Sequence, residues 1–170
     1  MRQTAILAGI VFCHFILSAQ QGSLPVSELM TLSKGGPVMA MDVLVKQHGF
    51  ATAELDAPKE NTLENSDTSI YFTWNSADEK TISNVYYNAQ RKNGVPTNLC
   101  SLTTTDSTYY RTELQNLQSS DYKLSDVVIK SDDVKDGKVF IKDDYRIKVF
   151  WSYMGSDEKF YIIDVIWFGK

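Results

Sequence analysis

Two stretches of the chain alternate apolar and polar residues with a period of two, the pattern of a β-strand that buries one face. They read YFTWNSADEKTISNVYYN and VFWSYMGSDEKFYIIDVIWF and begin at residues 71 and 149. Each is interrupted once by the triplet Asp-Glu-Lys, at residues 78–80 and 157–159. Because charged residues between two alternating runs are typical of a turn, each stretch predicts a β-hairpin.

The two stretches also share an apolar face. With the triplets aligned, three apolar positions coincide on one side of the strand. The aligned pairs are Ile70 with Val149, Phe72 with Trp151, and Trp74 with Tyr153. This match in order, spacing and face predicts an internal duplication, with a first copy over residues 20–90 and a second over residues 91–170.

Each copy is predicted to contain a short strand, a helix and then three strands. In the first copy the strand covers residues 29–33, and the helix starts at Pro37 and ends before Gly49. In the second copy Asp106 is a good helix N-cap. Both helices carry apolar stripes at helical spacing, over Val38, Met41 and Val45 in the first and Tyr110, Leu114 and Leu117 in the second.

Units of about 70 residues without disulfides bury too little surface to be stable alone. The predicted fold class is therefore α+β, with two tandem strand-helix-three-strand copies fused into one compact body. Its sheet is antiparallel, and its helices pack on one face. In the second copy, an Asp-Gly pair at residues 136–137 predicts a further hairpin turn.

The N-terminus has the layout of a secretory signal peptide. Arg2 precedes an apolar run over residues 5–17, and the small residues Ser18 and Ala19 follow. As a helix, that run spans only about 20 Å, which is too short to cross a bilayer comfortably. We expect residues 1–19 to be removed on export, leaving a chain with no stable membrane insertion.

The composition of the mature chain restricts its compartment and its partners. One cysteine, Cys100, and one histidine, His48, remain, so an intrachain disulfide is excluded. Export without disulfides or Asn-x-Ser/Thr glycosylation sites indicates a bacterial periplasm, a cell surface or the extracellular medium. The full chain has 21 acidic and 17 basic residues, of which only Arg2 belongs to the signal peptide; this acidic balance, with no basic cluster, argues against nucleic acid and anionic lipid as partners.

Few residues offer catalytic or metal-binding chemistry. We expect His48 to stabilise a helix C-terminus and Cys100 to act as a small buried apolar side chain. Asp132, Asp136 and Asp143 have partial calcium-loop spacing, but valine stands at the third ligand position. We therefore predict no metal, no cofactor and a protein that is not an enzyme.

A carboxylate-based hydrolase is the first alternative, since paired acids can perform general acid–base catalysis. No spacing among the 21 acids singles out such a pair. Asp164 is the one acid inside a strongly apolar strand, YIIDVIWF. If buried, it would have a raised pKa and a candidate functional role, although we expect an edge or solvent-facing position.

The chain contains 20 aromatic residues, nine of them tyrosine. Many are needed to fill a thin core, while an exposed patch of tyrosine and tryptophan suits recognition of another protein or a saccharide. The candidate binding residues are Tyr71, Trp74, Tyr86, Tyr87, Tyr153 and Trp167.

A secreted chain with two copies of a helix-plus-antiparallel-sheet unit is similar in outline to the β-lactamase-inhibitor-protein architecture and to PepSY-type modules. This resemblance implies binding or inhibition of another protein, and it transfers no residue role. The predicted function is that of an exported, non-enzymatic binding protein. The second alternative is an inhibitor or immunity-type protein that blocks an exported enzyme.

The signal peptide gives the first testable prediction. Because the apolar run ends at Ser18 and Ala19, the exported protein should begin near Gln20. Intact-mass measurement on protein recovered from the exported fraction checks this, and retention of Met1 would contradict it.

Overall fold

A computed structural model describes residues 22–56, 66–129, 131–153, 155 and 157–169. Over these residues the fold is α+β, with three helices and one eight-stranded antiparallel sheet. The helices are α1 (Val26–Gly35), α2 (Pro37–Met41), which continues as a π-helical segment (Asp42–Gln47), and α3 (Ser107–Ser119). The predicted signal peptide lies outside the described residues.

The sheet is a single layer in which every neighbouring pair of strands is antiparallel. Its order is β1-β2-β3-β4-β8-β7-β6-β5, so β4 and β8 meet at the centre. The strands are β1 (Ala51–Asp56), β2 (Ser66–Asn75), β3 (Ile82–Lys92), β4 (Val95–Thr104), β5 (Lys123–Ser125), β6 (Lys135–Lys142), β7 (Tyr145–Ser152) and β8 (Phe160–Phe168).

Both Asp-Glu-Lys triplets lie at hairpin turns, as their pattern predicts. The first joins β2 to β3 and the second joins β7 to β8. In the first turn the Asp78 carboxylate accepts a hydrogen bond of 2.6 Å from the Ser76 hydroxyl. Glu79 has a left-handed backbone, with φ 57°, which closes this turn.

The prediction for residues 29–33 is wrong, because they belong to α1 instead of a strand. Leu29 and Leu32 are fully buried three positions apart, which is helical and not strand spacing. The next helix starts at Pro37 and its π-helical continuation is capped by His48, as expected. The apolar stripe predicted for this helix is wrong, because the residues that face the core are Ala40 and Leu44.

The predicted stripe is instead largely accessible. Its exposed members are Val38, Met41 and Val45. The apolar positions on this segment occupy more than one face, and the sequence pattern alone could not show which face meets the sheet.

The helix of the second half matches its prediction. The Asp106 carboxylate caps α3 by accepting the backbone N–H groups of Thr108 and Tyr109, at 2.9 and 3.0 Å. Tyr110 and Leu117 are buried, and Leu114 packs against the core.

The prediction of a hairpin at residues 136–137 is wrong. These residues lie within β6, where the register with β7 shifts between Lys135 and Lys138. The turn from β6 to β7 is instead at Asp143 and Asp144. The three aspartates with calcium-loop spacing are therefore spread along β6 and its flanks, and no described group of three His, Cys, Asp or Glu could hold a metal ion.

The predicted register of the duplication does not follow the topology. Residues 29–33, the predicted first strand of the first copy, are helical. The first triplet joins the second and third strands, whereas the later one joins the last two. The proposed boundary at residues 90 and 91 falls inside β3.

One face of the sheet packs against the helices. The core cluster combines helix residues with one strand face, and no described residue of the opposite strand face belongs to it. Its strand members include Phe72, Val85, Tyr87, Leu102, Ile147 and Val165. No helix in the described part of the chain combines the length and apolar composition needed to cross a bilayer.

The alternation within β2 gives a stability prediction. Phe72 is fully buried under the helices, while its neighbour Thr73 lies on the opposite face. Phe72→Ala should lower the free energy of unfolding by about 3–5 kcal/mol, because it leaves a large cavity. Thr73→Ala should change it by less than about 1 kcal/mol. Denaturant titration of both variants checks this, and equal losses would contradict the face assignment.

Candidate functional site

The sheet presents a second face that none of the described helices covers, which we call the helix-free face. On β2 and β3 it carries the residues between the buried core positions. These are Ser69, Tyr71 and Thr73 on β2 and Asn84, Tyr86 and Asn88 on β3. Small and polar side chains dominate here, and the two tyrosines are the large exceptions.

Tyr71 and Tyr86 form a stacked pair on this face. They are direct register partners on β2 and β3, and their ring centroids lie 4.6 Å apart with a tilt of 32°. Tyr71 is 42% exposed, so one side of the pair is accessible to a partner. Cross-strand aromatic pairs of this kind stabilise a sheet and limit the motion of both rings.

A network of polar side chains supports the pair. The Tyr86 hydroxyl lies 3.1 Å from the Ser69 hydroxyl. The Asn88 amide donates to that same Ser69 oxygen at 2.9 Å and to the Asp67 carboxylate at 2.5 Å. Because Asn88 is nearly fully buried, this network fixes the position of Tyr86 before any partner arrives.

Asp164 lies near the centre of the same face, on β8 between β4 and β7. Ser101, its register partner on β4, donates a hydrogen bond of 2.6 Å to its carboxylate. Burial raises the pKa of Asp164, while the Ser101 hydrogen bond and the positive charge of Lys148 oppose that rise. The expectation of an edge position is wrong, because β8 pairs on both sides.

The six candidate aromatics do not form one patch. Tyr71 and Tyr86 meet on the helix-free face. Trp74 and Tyr87 lie on the opposite, helix-covered side, and Tyr87 is fully buried. Trp167 lines a cavity of about 380 Å³ together with Lys34 and Arg91. Tyr153 is 48% exposed at the end of β7, where its ring meets the edge of Trp151 at 5.5 Å.

A separate cavity of about 420 Å³ lies beside α1 and α3 and is lined by Glu28, His48 and Glu113. His48 is 2.7 Å from a Glu28 oxygen. Glu113 accepts the backbone N–H of Val26 at 2.8 Å and the amide of Asn116 at 3.1 Å. Since α1 begins without a side-chain cap of its own, Glu113 supplies one from α3.

Sequence reasoning missed the residues that support the tyrosine pair. Asp67, Ser69 and Asn88 have no motif, and only the register of β2 with β3 brings them together. The available signal was the alternation itself, which places Ser69 and Tyr71 on one face of β2.

Comparison with known proteins gives this chain no family. It matches no protein-family profile, no curated protein and no solved structure.

The environment of Asp164 predicts a pH effect on stability. Since burial raises its folded-state pKa, the folded state favours the protonated form, and stability falls as pH rises from the unfolded pKa through the folded one. Asp164→Asn keeps an acceptor for Ser101 and removes the charge. The variant should therefore become more stable relative to the wild type as pH increases from about 4 to 8.

Denaturant titration at several pH values measures this difference. Asp133→Asn, which alters an exposed acid in the turn before β6, is the control and should show no such trend. A difference between wild type and Asp164→Asn that is constant with pH would contradict the assignment.

Proposed function

We propose that this chain is an exported, non-enzymatic binding protein that holds another protein on its helix-free face, around Tyr71 and Tyr86. The observation that carries the proposal is the partly exposed, prepositioned tyrosine pair. Tyrosine is enriched at binding hot spots because one rigid ring combines a large apolar area with a polar hydroxyl.

The dimensions of the sheet favour a protein partner over a small ligand. Eight strands at about 4.8 Å spacing give a width of about 34 Å, and the six longer strands, of eight to eleven residues, are about 27–36 Å long. The whole face therefore measures roughly 900–1,200 Å², and although it is already buried around Val139 and Ile162, it is of the same order as the roughly 800 Å² that each partner contributes to a standard interface.

The chemistry of the face also suits a protein partner. Its polar groups near the tyrosines bind one another through the Asp67, Ser69 and Asn88 network. Such a surface can be covered without leaving unpaired buried groups, which lowers the free-energy cost of desolvation. A partner enzyme blocked in this way would make the protein an inhibitor or immunity-type protein.

Internal duplication is kept as part of the proposal, with a register different from the predicted one. Each half has helical structure followed by four strands, and the two last strands, β4 and β8, pair antiparallel at the sheet centre. A two-fold relation between the halves would produce this order. It would also bring the two helix-free half-faces into one surface.

The carboxylate-based hydrolase stays the second candidate, because Glu28, His48 and Glu113 line one cavity. It is less well supported, since both Glu113 oxygens already accept hydrogen bonds, one from the Val26 N–H that starts α1 and one from Asn116 of α3. Turnover in a substrate screen that is lost in Glu28→Gln would favour the hydrolase over the binding protein.

Site-specific photo-crosslinking tests the binding proposal. A photo-reactive phenylalanine analogue at position 71 should give a discrete crosslinked product in the organism's exported fraction. The matched control is position 153, another tyrosine of similar exposure that lies away from the pair. Equal crosslinking at both positions, or none at position 71, would contradict the proposal.

Affinity for the captured partner provides the quantitative test. Tyr71→Ala should weaken binding by about 10–100-fold, as expected for a hot-spot tyrosine. Tyr153→Ala should leave affinity within about twofold of the wild type. Titration calorimetry with the isolated partner measures both affinities. A larger loss of affinity in Tyr153→Ala than in Tyr71→Ala would contradict the proposal and indicate an interface at the end of β7.

A further inference from the structure

A cleft of about 400 Å³ lies on the helix-covered side of the molecule, between α3 and the strands β6, β7 and β8. Its volume is in the range of small-ligand sites. The rings of Tyr110, Trp151 and Tyr161 line it, and we call it the aromatic cleft. It is separate from the helix-free face, and the binding function proposed above does not use it.

Trp151 is held in a defined position in this cleft. Its indole N–H donates a hydrogen bond of 2.7 Å to the Asp136 carboxylate. The Tyr153 ring packs against it edge-on. Tyr161 is the register partner of Trp151 on β8, and its ring stacks with that of Tyr110 on α3, with centroids 4.8 Å apart. The rings are therefore positioned before a ligand binds, which reduces the entropy lost on binding.

The bulge in β6 places Asp136 in the cleft. Asp136 has a left-handed backbone, with φ 51°, and lies where the register with β7 shifts. A Cβ at the adjacent Gly137 would meet side-chain atoms of Ile129 and Val134 at 3.1 Å, so a larger residue there would require these side chains to shift. Bulges that redirect a side chain and non-glycine residues with positive φ are frequent at functional sites.

The charges around the cleft are predominantly positive. Arg111, Lys138 and Lys159 line it, and Asp136 is the single acid among its lining residues. No carboxylate among the described residues forms an ion pair with any of these three cations. In a chain with 21 acidic and 17 basic residues, a group of three cations with no ion-pair partner among the described residues indicates an anionic ligand.

Lys159 lies directly over the aromatic surface. Its ammonium nitrogen is 3.5 Å from the Trp151 ring centroid and 5.5 Å from that of Tyr161. The contact is a cation–π interaction, which holds the charge at the mouth of the cleft without neutralising it. Because Lys159 belongs to a hairpin turn, its long side chain can leave the ring and follow an incoming anion.

These groups together define three requirements for a ligand. It needs a negative charge for the cations, a compact apolar face for the rings of Trp151 and Tyr161, and hydroxyl groups for Asp136. The Asp136 Oδ1 atom receives no hydrogen bond from the described residues, so it can accept one from a ligand. Burial, followed by the negative charge of Asp136, raises the pKa of Tyr110 to about 12, so its hydroxyl stays a donor. A uronic acid, with its carboxylate, pyranose ring and hydroxyls, meets all three requirements.

We propose that the aromatic cleft binds a uronic acid residue of an oligosaccharide. The sugar ring lies against Trp151 and Tyr161, its carboxylate pairs with Lys159 and Arg111, and a hydroxyl donates to Asp136. An inorganic anion meets the first requirement alone, and a neutral sugar lacks the charge. The Asp136 carboxylate favours a hydroxylated ligand, which can donate to it, over a densely charged phosphate, which it would repel.

Calorimetric titration of the whole exported chain tests this proposal. The probes are digalacturonic, diglucuronic and dimannuronic acid, with cellobiose as the neutral disaccharide and inorganic phosphate as the simple anion. At least one diuronate should bind saturably, and at least about tenfold more tightly than cellobiose, the loss expected for a missing charge-assisted contact. Added salt should weaken diuronate binding, because it screens the charges of the cleft.

The two Asp-Glu-Lys turns provide a matched pair of variants. Lys159→Gln removes the charge at the cleft and should weaken diuronate binding by about tenfold. Lys80→Gln makes the same change in the turn between β2 and β3, away from the cleft, and should bind as the wild type does. Both lysines lie on turns, so neither change threatens folding. Trp151→Phe, which retains a ring, should weaken binding and reduce the fluorescence change on binding.

Three results would overturn the proposal. The first is no saturable binding of any diuronate. The second is cellobiose or phosphate binding as tightly as the best diuronate, which would make the cleft a neutral-sugar or general anion site. The third is equal affinity in Lys159→Gln and Lys80→Gln. None of these results bears on crosslinking at position 71, so the two proposals fail independently.

Discussion

The antiparallel pairing of β4 with β8 is the interaction on which the rest of the structure depends. It runs in continuous register from Thr97 with Phe168 to Thr104 with Tyr161, and it joins two four-stranded meanders into one sheet. The buried side chains on these two strands include Cys100, Leu102 and Val165. Because α1 contacts both strands, the same apolar centre supports both halves.

A few buried polar contacts fix the helices over this centre. Glu113 on α3 caps the start of α1, and the Asn98 amide on β4 donates to the Ser33 carbonyl near its end, at 2.7 Å. The Tyr109 hydroxyl donates to the Leu24 carbonyl. Each contact satisfies a helix or backbone group that burial would otherwise leave unpaired. They also hold α3, which forms one wall of the aromatic cleft.

The two proposed binding surfaces follow from the two sides of one sheet. The helix-free face is broad, with polar groups paired among themselves, so it suits a large partner whose contacts centre on Tyr71 and Tyr86. The aromatic cleft is small and predominantly positive, and its cations form no ion pair with an acid of the described residues, so it suits a compact anion. Single-layer packing makes both possible, because the helices cover only one face and leave the strand ends accessible.

The sequence by itself determined the local features. Period-two alternation identified the hairpins at both Asp-Glu-Lys triplets, Asp106 marked the start of α3, and the pattern of predicted strands and helices indicated an α+β chain. These features depend on backbone geometry and capping within a few residues of each position. They are therefore decided by neighbours along the chain.

Only the tertiary structure decided which faces are buried and which residues meet. Residues 29–33 form a helix because Leu29 and Leu32 pack together on the sheet, and Val38 stays exposed because Ala40 and Leu44 occupy the interface. The tyrosine pair depends on the register of β2 with β3. The cleft depends on the bulge that brings Asp136 to Trp151. Contacts between residues that are distant along the chain leave no local periodicity. The sequence pattern therefore predicts where each residue lies on its element but not which residue it contacts.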